Sequence, residues 1–191
     1  MKYTIGLAIT GSFCTHEKIL KVIENLISKD YDVVPIFSYS VASMNTRFGT
    51  AESFREKIIS LTGHEPIDTI VLAEPIGPKN MFDALAVAPC TGNTLAKIAC
   101  AITDTPVTMA TKAHLRNNKP LVIAISTNDA LGMNMKNIGA LINVKNIYFV
   151  PFSQDDYGKK PNSLIANYDL LEDTILSAIG GKQIQPLLIK E

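Results

Sequence analysis

ALAVAPCTGNTLAKIACAITD, Ala84 to Asp104, decides how this chain is read. Ala84 to Ala88 is a short apolar run of the kind that fills a buried strand. Pro89-Cys90-Thr91-Gly92-Asn93-Thr94 then interrupts it with small and hydrogen-bonding residues. Leu95, Ile98, Ala99 and Ile102 recur at the spacing of a helix with one buried face, and Thr91 or Asn93 can cap its first turn. A buried strand that enters a helix through such a loop leaves backbone N–H groups and the positive end of the helix dipole open to an anion. Pro89 to Thr94 is therefore the first candidate site.

The same alternation extends outward in both directions. Tyr3 to Ile9 reads as a buried strand broken by Thr10-Gly11-Ser12, and Ile19, Leu20, Ile23, Leu26 and Ile27 mark the helix after it. Asp32 to Phe37 is a second strand, Ser38 to Gly49 an irregular polar stretch, and Ala51 to Leu61 a helix closed by Gly63. Thr69 to Ala73 reads as a third strand, followed by Glu74 to Pro78, where two prolines and a glycine forbid regular structure. Ala84 to Ala88 is then the fourth strand. Beyond it come a helix over Val107 to Leu115, a strand over Pro120 to Ile125, a helical stripe at Met135, Ile138, Leu141 and Ile142, and a sixth strand over Ile147 to Val150. Ser153 to Asn162 reads as a polar loop; Leu171, Ile175 and Ile179 mark the last helix, and Gln185 to Lys190 a tail or edge strand.

Strands alternating with amphipathic helices imply a mainly parallel sheet of about six strands with helices on both faces, an α/β sandwich of three layers. We expect one domain over residues 1–191, with 180–191 as its tail. Right-handed crossovers bring the strand-to-helix loops to one edge of such a sheet, where ligands bind near the switch in strand order. Thr10-Gly11-Ser12, Ser38-Tyr39-Ser40, Cys90 to Thr94 and Ser126 to Asp129 should converge there.

Eighteen basic residues balance eighteen acidic ones, so net charge gives no reason to expect binding to nucleic acid or an anionic membrane. No apolar run has the length of a membrane span and the start of the chain lacks a signal-peptide pattern, which points to the cytoplasm. The three cysteines, Cys14, Cys90 and Cys100, lack CxxC spacing, so neither a disulfide framework nor a metal site is expected. Cys100 reads as a small buried hydrophobe. Cys14 and Cys90, in loops assigned to one site, could pack or touch a ligand.

The expected rim carries hydroxyls, amides and N–H groups with little formal charge, a set that suits a phosphate plus a planar polar ring. Neither GxGxxG nor GxxxxGK[ST] occurs, so a mononucleotide such as FMN fits better than a dinucleotide or ATP. The same residue types also commonly cap helices, and loop chemistry alone leaves both readings open.

Ile9-Thr10-Gly11-Ser12 together with Ala88-Pro89-Cys90-Thr91-Gly92-Asn93-Thr94-Leu95-Ala96-Lys97 resembles the flavoprotein family of FMN-binding decarboxylases and prenyltransferases. Asp68 to Lys79, Ile102 to Pro106, Thr111 to Arg116, Ile125 to Gly132 and Lys145 to Phe152 resemble a branch of that family found in spore-forming bacteria. There the protein serves as one component of an oxidoreductase that makes an aromatic pyridine dicarboxylate during sporulation. The resemblance implies a Rossmann-like, flavodoxin-like fold, a homotrimer or larger assembly, a small dicarboxylic acid substrate, and a partner subunit that carries NADP. Carried over by position, Thr10, Gly11, Ser12, Ser38, Pro89, Cys90, Thr91, Gly92, Asn93, Thr94, Ser126 and Thr127 would hold FMN or a phosphate in its place. Lys97, Met133 and Asn134 would meet the substrate; Gly132-Met133-Asn134 resembles part of the clamp of cysteine decarboxylases.

The chain also departs from the family pattern. The decarboxylase histidine has no counterpart shortly before the Pro89 loop, and His64 follows a helix-ending glycine as a solvated loop residue would. The clamp lacks its leading proline and its tryptophan, so peptidyl-cysteine decarboxylation is not expected. No catalytic acid or base is assigned. Lys97, Lys112 and Arg116 are the cations proposed for a diacid, although Lys112, His114 and Arg116 read first as an exposed helix end with cations near its C-terminus. Glu74 reads as a subunit contact or a base. A non-catalytic scaffold and an FMN-dependent decarboxylase or prenyltransferase are the alternatives.

Overall fold

In a computed structural model that describes residues 3–190, strands and helices follow one another along the chain. The elements are β1 (Thr4–Ile9), a 3-10 turn (Phe13–Thr15), α1 (His16–Ser28), β2 (Asp32–Phe37), α2 (Tyr39–Ser43), α3 (Ala51–Thr62), α4 (Ile70–Ala73) and a 3-10 turn (Glu74–Ile76). They continue with β3 (Ala84–Cys90), α5 (Gly92–Ala99), α6 (Pro106–Leu115), β4 (Leu121–Thr127), α7 (Met135–Leu141), β5 (Ile147–Phe149), β6 (Phe152–Gln154), β7 (Leu164–Ala166), a 3-10 turn (Tyr168–Leu170) and α8 (Leu171–Ile179).

Five strands pair in parallel in the order β2-β1-β3-β4-β5, the flavodoxin-like arrangement. Two more strands join at one end: β7 runs antiparallel to the last residues of β4, and β6 antiparallel to β7. The strand order reverses between β1 and β3, so the loops after these two strands flank the switch point.

Period-two alternation along the strands sorts side chains into two cores. Ala84, Ala86 and Ala88 of β3 face Ile19, Ile23 and Leu26 of α1 and Leu171 and Ile175 of α8. Leu85 and Val87 face Leu95 of α5, Val107 and Ala110 of α6, and Ile138 of α7. Helix ends follow the local chemistry: Thr50 caps α3 through its hydroxyl, and Gly63 ends it in the left-handed region at φ 73°. Thr105 and Thr108 form a reciprocal cap at the start of α6, with Pro106 as its first residue.

The structure corrects three readings of the sequence. Thr69 to Ala73 is not a strand: Thr69 caps the short helix α4, and only Ile67 pairs with the outer edge of β2. A four-residue apolar run has no period of its own, so capping and tertiary contacts decide it. The sheet has seven strands rather than about six, because Ser153 and Gln154 belong to β6 and residues 155–163 connect it to β7 in a hairpin. The helix after the Pro89 loop stops at Ala99, and Ala101 turns left-handed at φ 55°; Cys100 and Ile102 are therefore exposed rather than buried. The tail, expected as a tail or an edge strand, makes one isolated parallel bridge, Leu188 to Phe152.

Candidate functional site

The carboxyl ends of β1, β3 and β4 meet at one cleft of about 820 Å³. Gly11 and Ser12 follow β1; Thr91, Gly92 and Asn93 follow β3; Ser126, Thr127, Asn128 and Asp129 end β4 and follow it; all of them line the cleft. Ser12 and Asn93, 81 positions apart in the chain, thus border the same concavity.

Thr10 holds this rim together from beneath. Its hydroxyl donates to the Pro89 carbonyl at 2.6 Å and accepts from the Thr91 N–H at 3.0 Å, which ties the end of β1 to the turn leaving β3. Both uses are internal and the residue is buried, so Thr10 shapes the rim rather than lining it. Pro89 is likewise buried, its carbonyl taken by Thr10. The side chain of Cys90 packs into the core between β3 and α5, where burial pushes the thiol pKa up; it stays protonated and turned away from the cleft.

Thr91 caps α5: its hydroxyl accepts from the Thr94 N–H and donates to the Thr94 hydroxyl at 3.2 Å. Gly92 and Asn93 occupy the first two helical positions, whose N–H groups have no carbonyl within their own helix to bond. Both residues line the cleft. Gly92 is required by close approach: a Cβ there would come within 2.5 Å of Asn134 Nδ2, 2.7 Å of Thr127 Oγ1 and 2.8 Å of Asp129 Oδ1.

Those three side chains form a network behind the loop. The Thr127 hydroxyl donates to Asp129 Oδ1 at 2.5 Å, Asn134 Nδ2 donates to Asp129 Oδ2 at 2.7 Å, and Asn137 Nδ2 donates to Asn134 Oδ1 at 2.8 Å. Asn134 is buried as a support for Gly92, whereas Met133 is 71% exposed and neither residue lines the cleft. Ser38 caps α2 through its hydroxyl and is also not among the lining residues; its loop approaches through Ser40, whose Cβ lies 3.4 Å from where a Gly11 Cβ would stand.

Across the cleft, Ser12 Oγ and Ser126 Oγ share a hydrogen bond at 2.8 Å. The Thr15 hydroxyl donates to the Ser12 carbonyl at 2.7 Å, and His16 Nε2 bonds the Thr10 carbonyl at 3.2 Å. Because a carbonyl only accepts, Nε2 carries the ring proton, and burial lowers the His16 pKa further toward the neutral form. His16 stacks on Phe54 at 4.4 Å between α1 and α3, in a smaller cavity of about 190 Å³ that shares Phe13, Cys14 and Phe48 with the main cleft.

The cations at the cleft are not those expected from sequence. Lys97 is held by Asp104 at 2.9 Å away from the lining residues, and Lys112 and Arg116 do not line the cleft either. Lys18 of α1, Arg47 and Lys160 do. Arg47 lies over the Phe48 ring at 4.8 Å, and Lys160 donates to Asp155 Oδ2 at 2.8 Å, which holds the Asp155 carboxyl below its ordinary range. Ser163 joins this pair to the rim by donating to the Thr127 carbonyl at 3.3 Å. Sequence reasoning missed Asp155, Lys160 and Ser163 because only the pairing of β7 with Ser126 and Thr127 brings the hairpin to the rim.

None of the three histidines lines the cleft. His64 bonds Asp32, the first residue of β2, at 2.8 Å, which puts it at the opposite end of the sheet. His114 is 2% exposed and not part of an exposed helix end; its Nε2 bonds the Pro120 carbonyl at 3.0 Å and burial lowers its pKa to about 4. Glu74 is exposed at the 3-10 turn after α4, away from the cleft. Among the described residues no helix is long and apolar enough to cross a membrane.

Comparison with known proteins adds to this geometry. The sequence model described as Flavoprotein matches residues 1–168. The chain is 50% identical over 186 residues to the B subunit of dipicolinate synthase from Bacillus subtilis (strain 168), covering 97% of this chain and 93% of that one. A crystal structure of the B subunit of dipicolinate synthase from Bacillus halodurans C superposes with a TM-score of 0.91 at 44% identity, covering 100% of both chains. The FMN-dependent cysteine decarboxylase SpaF superposes with a TM-score of 0.69 at 18% identity, covering 94% of this chain and 97% of that one, a likeness of fold alone.

Proposed function

We propose, because this chain belongs to the Flavoprotein family and is a homologue of the B subunit of dipicolinate synthase, that it binds FMN at the β1/β3 switch point and serves in the oxidation of a dihydrodipicolinate-type precursor to dipicolinate. The observation that carries this reading is the convergence of Ser12, the N–H groups of Gly92 and Asn93, and Ser126 on one cleft.

The donor set fits a flavin mononucleotide. Hydroxyls and unpaired N–H groups at the start of an eight-residue helix receive a phosphate without a neutralising lysine, and Thr127, Asn128 and Asn93 supply partners for a polar ring. A bound flavin supplies the capacity to accept a hydride. The chain supplies orientation and charge. Lys18, Arg47 and Lys160 face a dianionic substrate, and loss of a hydride from a dihydropyridine diacid leaves an aromatic ring, so the driving force lies largely in the substrate. With no histidine on the cleft, no imidazole is placed to act there as acid or base.

The subunit designation of the relatives supports a partner, for which we propose the dipicolinate synthase A subunit carrying NADP, in the cytoplasm of a sporulating cell. We also propose a single domain over residues 1–191 and a homotrimer or larger assembly. Titration of the purified chain with FMN, followed by visible absorption, tests the cofactor; an assay with the A subunit tests the reaction. Ser12→Ala should weaken FMN binding about tenfold. A chain whose spectrum shows no bound flavin at saturating FMN would leave a scaffold role, and decarboxylation without the A subunit would replace the oxidase reading.

A further inference from the structure

Beneath the Ser12–Ser126 pair lies a side chain that the site described above does not use. Tyr168 opens the 3-10 turn that leads into α8, is 4% exposed, and packs with α1 and α8 in one of the two cores. Its Oη is the one buried side-chain polar atom without a hydrogen-bond partner among the described residues. A buried hydroxyl left unpaired loses its hydration with no hydrogen bond in return, so a core that only needed an aromatic ring there would be served better by phenylalanine.

The neighbours of that hydroxyl are the side chains of Thr15 and Ser126, which pull its pKa down against the larger effect of burial. Burial wins and holds the phenol at about 12, so it keeps its proton at any working pH. Thr15 already donates to the Ser12 carbonyl, so toward Tyr168 it can only accept. Ser126 is committed only to Ser12, by a hydrogen bond in which either oxygen can be the donor.

We infer that Tyr168 is a positioning residue for the anion end of the cleft: its phenol donates to Ser126, Ser126 donates to Ser12, and Ser12 turns its own proton to an anionic oxygen. The chain of three hydroxyls has a single polarity, set by the anion at its open end: the phenol donates once, and each serine then donates once and accepts once. Ser12 and Ser126 satisfy each other, and the phenol is the group without a partner. The relay delivers a fully neutral donor to the phosphate and moves no charge into the core.

This inference rests on the reading that the cleft takes the phosphate of FMN, and the test separates the two. FMN and riboflavin, which differ by that phosphate, are titrated against the full-length chain and against Tyr168→Phe, Ser126→Ala and the double variant. We expect the wild-type chain to prefer FMN. Tyr168→Phe should lose about three- to tenfold in FMN affinity with riboflavin unchanged. Its thermal stability without flavin should hold or rise, because the unpaired hydroxyl is gone. The double variant should be no weaker for FMN than Ser126→Ala alone. Equal losses for both flavins, or additive losses in the double variant, would overturn the relay while leaving the phosphate reading intact. A wild-type chain that binds riboflavin as tightly as FMN would overturn both. Should Tyr168→Phe fail to fold, Ser126→Ala decides: it must lower the preference for FMN over riboflavin, and an unchanged preference sinks the proposal.

Discussion

Thr10 shows how a single hydroxyl can define a site without entering it. It bonds the Pro89 carbonyl and the Thr91 N–H at once, so Thr10→Val, nearly the same in shape, leaves two main-chain groups without partners. We expect a loss of about 2 kcal/mol in chemical denaturation, together with weaker flavin binding because the loop after β3 is no longer held against β1. Gly92 makes the opposite demand, for space. Gly92→Ala would drive a methyl group into Asn134, Thr127 and Asp129, with about 1–3 kcal/mol lost to overpacking and the flavin affinity reduced with it; unchanged FMN titration and unfolding curves would refute the close packing. Of these two residues the sequence shows the type but not the role. A threonine after a strand can cap, bind a ligand or bridge two strands, and only the neighbour across the fold selects one.

His114 gives a prediction about pH. Its folded pKa of about 4 lies below the unfolded value near 6.5, so between these limits the unfolded chain binds the extra proton. Stability from this residue is complete above about pH 6.5, falls as pH drops toward 4, and is flat below; the whole effect is about 3 kcal/mol. His16, also held neutral by burial, adds in the same direction. Denaturation of wild type and His114→Gln at steps from pH 7 to 4 should show a shallower decline in the variant, and parallel curves would contradict the assignment.

At the scale of elements, strands whose apolar runs are long and helices whose caps are explicit could be read directly. β1, β2, β3 and β4 lie where their runs predict, and α3 ends at Gly63. Three of the misses share a cause. α4, β6 and β7 have only three or four residues each, too few for a period of 2 or 3.6 to register, so capping by Thr69 and pairing with β4 decide them. The edge of β5 shows the same dependence on distant partners. The Gln183 carboxamide accepts from the Phe149 N–H at 2.8 Å and donates to the Phe149 carbonyl at 2.7 Å, in place of a neighbouring strand. Gln183→Ala should cost about 1–3 kcal/mol and speed hydrogen exchange at the Phe149 amide. Gln183→Glu, which keeps an acceptor but loses the donor, should be intermediate in exchange. An amide equally protected in all three chains would dismiss the clip.

For the molecule as a whole, ligand binding and folding are linked. The cleft draws residues from Gly11 to Ile165, so a flavin that holds its walls together stabilises nearly the whole sheet. At FMN one hundred times above its dissociation constant the gain is about 2.7 kcal/mol. For a chain of this length that should raise Tm by about 5–10 °C in calorimetry, with riboflavin giving less. A Tm indifferent to FMN would count against the cleft as the cofactor site.

What the linear order of residues determined by itself is the class of fold and the chemistry of the rim. Hydrophobic periodicity is a local property, and strands that alternate with helices have few ways to pack, so the parallel sheet and the meeting of Ser12 with Asn93 follow from pattern alone. Only the tertiary structure decided which cations face the cleft, that Thr10 and Cys90 turn inward, and that the β6–β7 hairpin brings Asp155, Lys160 and Ser163 to the rim. These depend on which of two faces a side chain takes and on pairings between segments dozens of residues apart. Their energies come from contacts that no window along the chain contains.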